Sequence, residues 1–376
     1  MGDFIPIWTQ AITQSPLGGR LFGKNKTAAF NIRVPVEACG LRLRFSNLYG
    51  KAPYRFGACV LAFGETVCPV TLDGKSSFEI PIGGDVTTDA LPLRLPRGTE
   101  VQIRLFYTSF ITDGNAIEEE ATLLPGDQTR TDGFAEGVLQ SALLRKAGVY
   151  NAIPSLSAVE ILTDEDVKAI VAFGDSITAM SQWTKPLAER LNERYGGKAV
   201  LLNAGISGNC LLYERPDFMG PIFGEKGTDR FARDVLRVPR LHTVIFGLGV
   251  NDVAYFTEKT KEIINLTAYR NAVTKIAETL HEKGVKVCMQ TITPRIGCAR
   301  IMGKYTKEME ELRLALNSWI RSAGIFDSVF DADALVREET PEGFVYKDGL
   351  HRGDRLHPNK TGGRLLADAF DLEELI

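Results

Sequence analysis

Four short blocks of this chain hold residues that could do acyl chemistry. The first, Gly174-Asp175-Ser176-Ile177-Thr178, sets a serine among small neighbours. A serine hydroxyl is a poor nucleophile at neutral pH and needs an adjacent base to take its proton. The chain has only four imidazoles, His242, His281, His351 and His357, so candidates for that base are few. His357 follows Asp354 by three residues. On a turn, an Asp and a His so spaced can touch, and the carboxylate then selects the tautomer whose other ring nitrogen accepts a proton. Asp348 and His351 repeat the spacing, so two dyads compete. Pro358 and Asn359 start a terminal helix directly after His357, which favours Asp354 and His357. His351 then lines the site or is solvated, and His242 and His281 read as structural or exposed.

The other two blocks offer hydrogen-bond donors. In Asn203-Ala-Gly205-Ile-Ser-Gly208-Asn209, glycines present backbone N–H groups to a negative centre with no side chain in the way. In Gly247-Leu-Gly249-Val-Asn251-Asp252, an asparagine supplies a neutral amide. Each block has a plainer reading beside the chemical one: an N-cap serine, a glycine-rich strand exit, an Asx turn. Their joint occurrence in one order is far more specific than any one of them.

The elements that must position these blocks can be read from periodicity. Compact apolar runs at 168–174, 199–203, 243–247, 286–292 and 326–330 alternate with amphipathic stretches. Examples are Leu266, Tyr269, Val273, Ile276 and Leu280, and Met309, Leu312, Leu316 and Trp319, with Ile320 beside the last, stepping by three and four. Strand, helix, strand at this spacing predicts a parallel sheet covered on both faces, with ligands bound beyond the carboxyl ends of its strands. All four blocks fall at or beyond such ends. Earlier in the chain the period is two, as in Phe30, Ile32, Val34 and Val36, then Leu41, Leu43 and Phe45, then Val101, Ile103 and Leu105, with turn residues between. An antiparallel sandwich or jelly roll follows. A polar connection over 112–150, with Glu118-Glu119-Glu120, precedes a last strand at 158–162. The expected domains are therefore a β-sandwich over 1–165 and an α/β domain over 166–376.

In these blocks the chain resembles the SGNH (GDSL-type) hydrolases, with Gly-Asp-Ser-Ile, Gly205 to Gly208, Gly249-Val-Asn251-Asp252 and Asp354-Arg-Leu-His357-Pro-Asn in the family's order. The resemblance covers about 169–370. It implies a flavodoxin-like three-layer α/β/α fold, with Ser176 as nucleophile, His357 as general base and acid, and Asp354 as its orienter. It also implies an oxyanion hole made of the Ser176 and Gly208 N–H groups and the Asn251 side chain. The preceding β module, the run 203–209 and Arg230-Phe-Ala-Arg-Asp-Val-Leu236 are similar to a two-domain bacterial subgroup related to carbohydrate acetylesterases. The expected activity is removal of short acyl groups from carbohydrate. The alternatives are a GDSL-type lipase, arylesterase or thioesterase on small lipophilic esters, an acyltransferase, and a non-catalytic carbohydrate-binding protein.

Composition bounds the partners. Forty-four Lys and Arg against 47 Asp and Glu give a net charge of -3, without the basic field that nucleic-acid binding needs. No apolar run approaches the ~20 residues of a membrane span, and no signal peptide is visible, so a cytoplasmic protein is expected unless a leader was removed. The six cysteines form no C-x-x-C pair and read as reduced, mostly buried thiols. No metal-ligand cluster or phosphate loop occurs, so no cofactor is expected. The loops 211–231, with Tyr213, Phe218, Met219 and Phe223, and 294–305 either wall an acyl pocket or pack on their own domain. In the first domain, Trp8 or Tyr54 could offer an exposed ring to sugar.

Overall fold

A computed structural model describes residues 2–14, 24–114, 122–130, 153–214, 220–254, 265–298 and 305–376. The acidic run at 118–120 and the loop residues Phe218 and Met219 lie outside these. The chain divides into two compact units, Met1–Val167 with Tyr195–Leu202 and Asp217–Gly224, and Lys168–Arg194 with Asn203–Pro216 and Glu225–Ile376.

The first unit carries two antiparallel sheets. One has the strand order Asp3–Thr9, Leu156–Thr163, Gly40–Ser46, Asp85–Thr87. The other runs Thr122–Pro125, Lys26–Arg33, Glu100–Tyr107, Tyr54–Phe63, Thr66–Pro69, with Phe78–Ile80 also paired to Tyr54–Phe63. Alternation aims one set of side chains inward. Phe45 of the first sheet meets Phe56 of the second at 4.9 Å between ring centroids, and Phe56 in turn touches Phe78 and Tyr107. This aromatic cluster joins the sheets into a sandwich. The strand Asp3–Thr9 has no clean period of two, because its register slips between Pro6 and Trp8. One expectation is corrected here: Tyr54 is 1% exposed, and its hydroxyl is hydrogen-bonded to Thr112 Oγ1 at 2.7 Å, so it presents no ring to solvent. The six free cysteines are also less buried than expected: Cys59, Cys210 and Cys288 are buried, whereas Cys39 is exposed.

The parallel sheet contains β1 (Lys168–Gly174), β2 (Ala199–Gly205), β3 (Leu241–Gly247), β4 (Lys286–Gln290) and β5 (Ser328–Phe330), in the order β2-β1-β3-β4-β5. This is the flavodoxin-like order, which reverses direction between β1 and β3. Right-handed crossovers then place α2 (Thr184–Tyr195) on one face, and α5 (Leu266–His281) and α6 (Lys307–Ser322) on the other. Short helices stand at three strand exits, α1 (Ser176–Ala179) after β1, α4 (Val250–Ala254) after β3 and α7 (Ala332–Val336) after β5, and α3 (Gly227–Phe231) lies ahead of β3. The central strand β1 buries Ile170, Val171, Ala172 and Phe173, all at 0% exposure.

β4 ends at Gln290, two residues short of the apolar run. The Asn317 side chain accepts the Ile292 N–H, and Arg313 and Asn317 donate to the Ile292 carbonyl, so the backbone leaves the sheet for groups on α6. A charged hairpin, β6 (Arg337–Thr340) with β7 (Gly343–Tyr346), follows α7, and Val345 bridges to Ile296 in the loop after β4. The final helix, α8 (Lys360–Ala369), ends at Phe370, whose ring stacks on Phe330 and Trp183. Leu366 and Ala367 form its buried face, while Leu365 is 38% exposed. Among the described residues, no helix is long and apolar enough to cross a membrane.

Candidate active site

Ser176 opens α1 directly after β1. The cap of this helix is Asp175, whose Oδ1 accepts the Ile177 N–H at 3.0 Å, so the serine is free of capping duty. Its hydroxyl lies 2.8 Å from His357 Nε2, and His357 Nδ1 lies 2.6 Å from Asp354 Oδ2. The other oxygen of Asp354 accepts the backbone N–H groups of Leu356 and His357, both at 3.0 Å. Burial pushes the Asp354 carboxyl up, but the hydrogen bond and charge of His357, with those two N–H groups, outweigh it and bring it down to about 2. An ionised carboxylate only accepts. His357 therefore carries its proton on Nδ1, and Nε2 accepts from the serine.

The competing histidine holds the opposite tautomer. His351 Nδ1 accepts the N–H groups of Gly353 and Arg355, at 2.9 and 3.2 Å, so its proton sits on Nε2 and is donated to Asp348. Its side chain is 9% exposed. Neither solvated nor available as a base, His351 ties the loop that carries Asp354 and His357. That loop docks through α8, whose cap, Asn359, accepts the Gly362 N–H and donates to the carbonyls of Gly349 and His351. The helix approaches the Ser176 turn so closely that a Cβ at Gly363 would collide with the Gln182 carbonyl. His242 is hydrogen-bonded to Thr243 and His281 to Asp327, both away from these groups.

The donors come from the next two strand exits. Gly208 has φ +76, a conformation that side chains disfavour. Among the described residues, neither its N–H nor that of Ser176 is taken by a main-chain hydrogen bond. Asn251, read from the sequence as a strand-exit amide or Asx turn, lies in α4 and is 4% exposed. Its Nδ2 donates to the Asn209 carbonyl at 3.0 Å, which orients the amide and leaves its second hydrogen for a ligand. Neighbouring Asp252 accepts the N–H groups of Leu211 and Leu212 and pins the start of the following loop. In the sequence, Asn209 and Asp252 stand inside their blocks with nothing to mark these roles. In that loop, Tyr213 and Phe223 are half-buried.

Two buried carboxyls lie beneath. Burial pushes Asp175 up to about 7, further raised by Asp252 and opposed by the Ile177 N–H and by Arg295 and Arg230. Asp252 is pushed up to about 6, again by burial, against its backbone N–H donors. A small cavity of about 20 Å³, room for one water, adjoins Asp175, Trp183 and Thr293. Among the described residues, no group of three His, Cys, Asp or Glu side chains could hold a metal ion.

The sequence profile described as GDSL-like Lipase/Acylhydrolase family matches residues 172–365, just over half of the chain. The chain belongs to this family. It is a carboxylic ester hydrolase by that membership, and all four blocks lie within the matched segment. Solved structures similar to the GDSL-like chain include the acetyl xylan esterase AlAXEase, 20% identical over 53% of this chain and 96% of that one, with a TM-score of 0.40. Est24, a carbohydrate acetylesterase from Sinorhizobium meliloti, is 18% identical over 54% and 95%, with a TM-score of 0.38. The M. smegmatis aryl esterase is 19% identical over 54% and 96%, with a TM-score of 0.39. No curated protein matches the chain.

Proposed function

We propose that this GDSL-like hydrolase removes short acyl groups, acetyl foremost, from carbohydrate esters through an acyl-enzyme on Ser176. The observation that carries the chemistry is the continuous line from Ser176 Oγ through His357 to Asp354, with hydrogen bonds of 2.8 and 2.6 Å. As Oγ attacks the ester carbonyl, His357 Nε2 takes its proton and Asp354 stabilises the resulting imidazolium. The Ser176 and Gly208 N–H groups and the second Asn251 N–H receive the oxyanion. Collapse expels the alcohol with the proton from His357. Water then repeats the sequence on the acyl-enzyme, with His357 again as base.

The carbohydrate end of the reading rests on the resemblance of 203–209 and 230–236 to the acetylesterase subgroup, and we assign residues 1–165 as its accessory module. Hydrolysis of 4-nitrophenyl acetate, followed by a panel of acetylated xylo-oligosaccharides, acetylated monosaccharides and longer acyl esters, tests both levels. Ser176→Ala is expected to lose all measurable turnover. Turnover unchanged in that variant ends the acyl-enzyme reading, and a preference for long acyl chains replaces the carbohydrate reading with a lipase.

A further inference from the structure

Arg230, on α3, is 0% exposed, an unusual place for a guanidinium in a chain whose other arginines are mostly on the surface. Its planar fork reaches three acceptors in two of the segments that carry the site. Nη2 donates to the Gly174 carbonyl at 2.9 Å, two residues before Ser176. Nη1 donates to the Ala204 carbonyl at 2.8 Å, at the end of β2, and Nε donates to Asn209 Oδ1 at 2.9 Å, next to Gly208. The group lies 4.2 Å over the Phe173 ring and is neutralised by Asp234 at 3.1 Å. Asn209 is the residue whose carbonyl holds the Asn251 amide.

One cation thus ties together the segments that present the Ser176 and Gly208 N–H groups and, at Asn209, meets the residue that holds the Asn251 amide. A buried charge is a costly way to cross-link strands that apolar packing already holds. What it adds is angular: five N–H groups in one plane fix three acceptors relative to each other, which lysine cannot do. We propose that Arg230 is a positioning residue for the oxyanion hole, acting through Asn209 on Asn251. The inference rests on the acyl-enzyme reading above and extends it.

A double-mutant cycle tests it, using the full chain and 4-nitrophenyl acetate. Arg230→Lys is expected to lower kcat roughly 10²-fold with KM within about threefold, the loss typical of a missing oxyanion donor. In an Asn251→Ala background the same change should cost less than about threefold, because the donor it aims is gone. A benzeneboronic acid inhibition constant, which reports the tetrahedral adduct, should weaken in parallel with kcat. Equal losses in both backgrounds, or a rise in KM at constant kcat, overturn the inference while leaving Ser176 chemistry intact. Retained turnover in Ser176→Ala overturns the reading beneath it. Should Arg230→Lys not fold, Asn209→Ala, which removes the Nε acceptor but keeps the carbonyl, runs the same cycle with the same expected non-additivity.

Discussion

Two histidines, each with an Asp three residues before it, carry their protons on different ring atoms. His357 donates from Nδ1 and accepts at Nε2, whereas His351 accepts at Nδ1 and donates from Nε2. Replacing His357 by Ala should lower kcat roughly 10⁴-fold with little change in melting temperature. His351→Ala should do the reverse, lowering the melting temperature by several degrees with a kcat within about tenfold of the parent. Steady-state kinetics and thermal melts of both variants check this, and an inactive but fully stable His351→Ala would exchange the two assignments. Asp175 makes a second residue-level prediction. Its carboxyl, pushed up to about 7 by burial, holds in the native chain a proton that the unfolded chain, with a value near ~4, gives up. The native state binds more protons between these values, so stability falls as pH rises from about 4 to about 7. Asp175→Asn keeps the cap oxygen and should flatten that slope, measured as melting temperature at pH 5 against pH 8.

At the scale of elements, the site depends on how closely α8 approaches the turn after β1. Gly363→Ala places a methyl group against the Gln182 carbonyl and must displace the helix. A loss of about 1–3 kcal/mol in chemical denaturation is expected, together with a fall in kcat as His357 moves from Ser176. Leu365→Ala, on the exposed side of the same helix, should leave both within error. The fold itself was largely legible in the sequence, because continuous apolar runs and steps of three and four reported burial directly. The four blocks were legible too, since each alone has a plainer reading but their joint occurrence in one order does not. Legibility failed where polar groups do the packing. Arg313, 0% exposed and bonded to Ile292 O, Glu310 and Asp333, reads in sequence as a surface charge, yet it helps end β4. Arg230 was visible only as part of a familiar string, and the β6–β7 hairpin was hidden by its charges. Periodicity records which residues avoid water and is silent about buried ions.

For the whole molecule, what matters is how far apart in the chain the reacting groups lie. The hydrogen bond between Ser176 and His357 spans 181 residues, and Phe370, which ends α8, packs on Trp183 after β1 and Phe330 of β5. Long-range closures of this kind are reached late, after local helices and neighbouring strands have formed. When the chain refolds from urea, recovery of ester hydrolysis should therefore trail recovery of the far-ultraviolet circular dichroism signal, and coincident traces would contradict this. The same geometry has a consequence for timing during synthesis. On the mechanism proposed above, a growing chain exposes Ser176 long before His357 exists, so reactivity toward esters would arrive only once the end of the chain has folded. Completion of the fold would then itself be the safety catch.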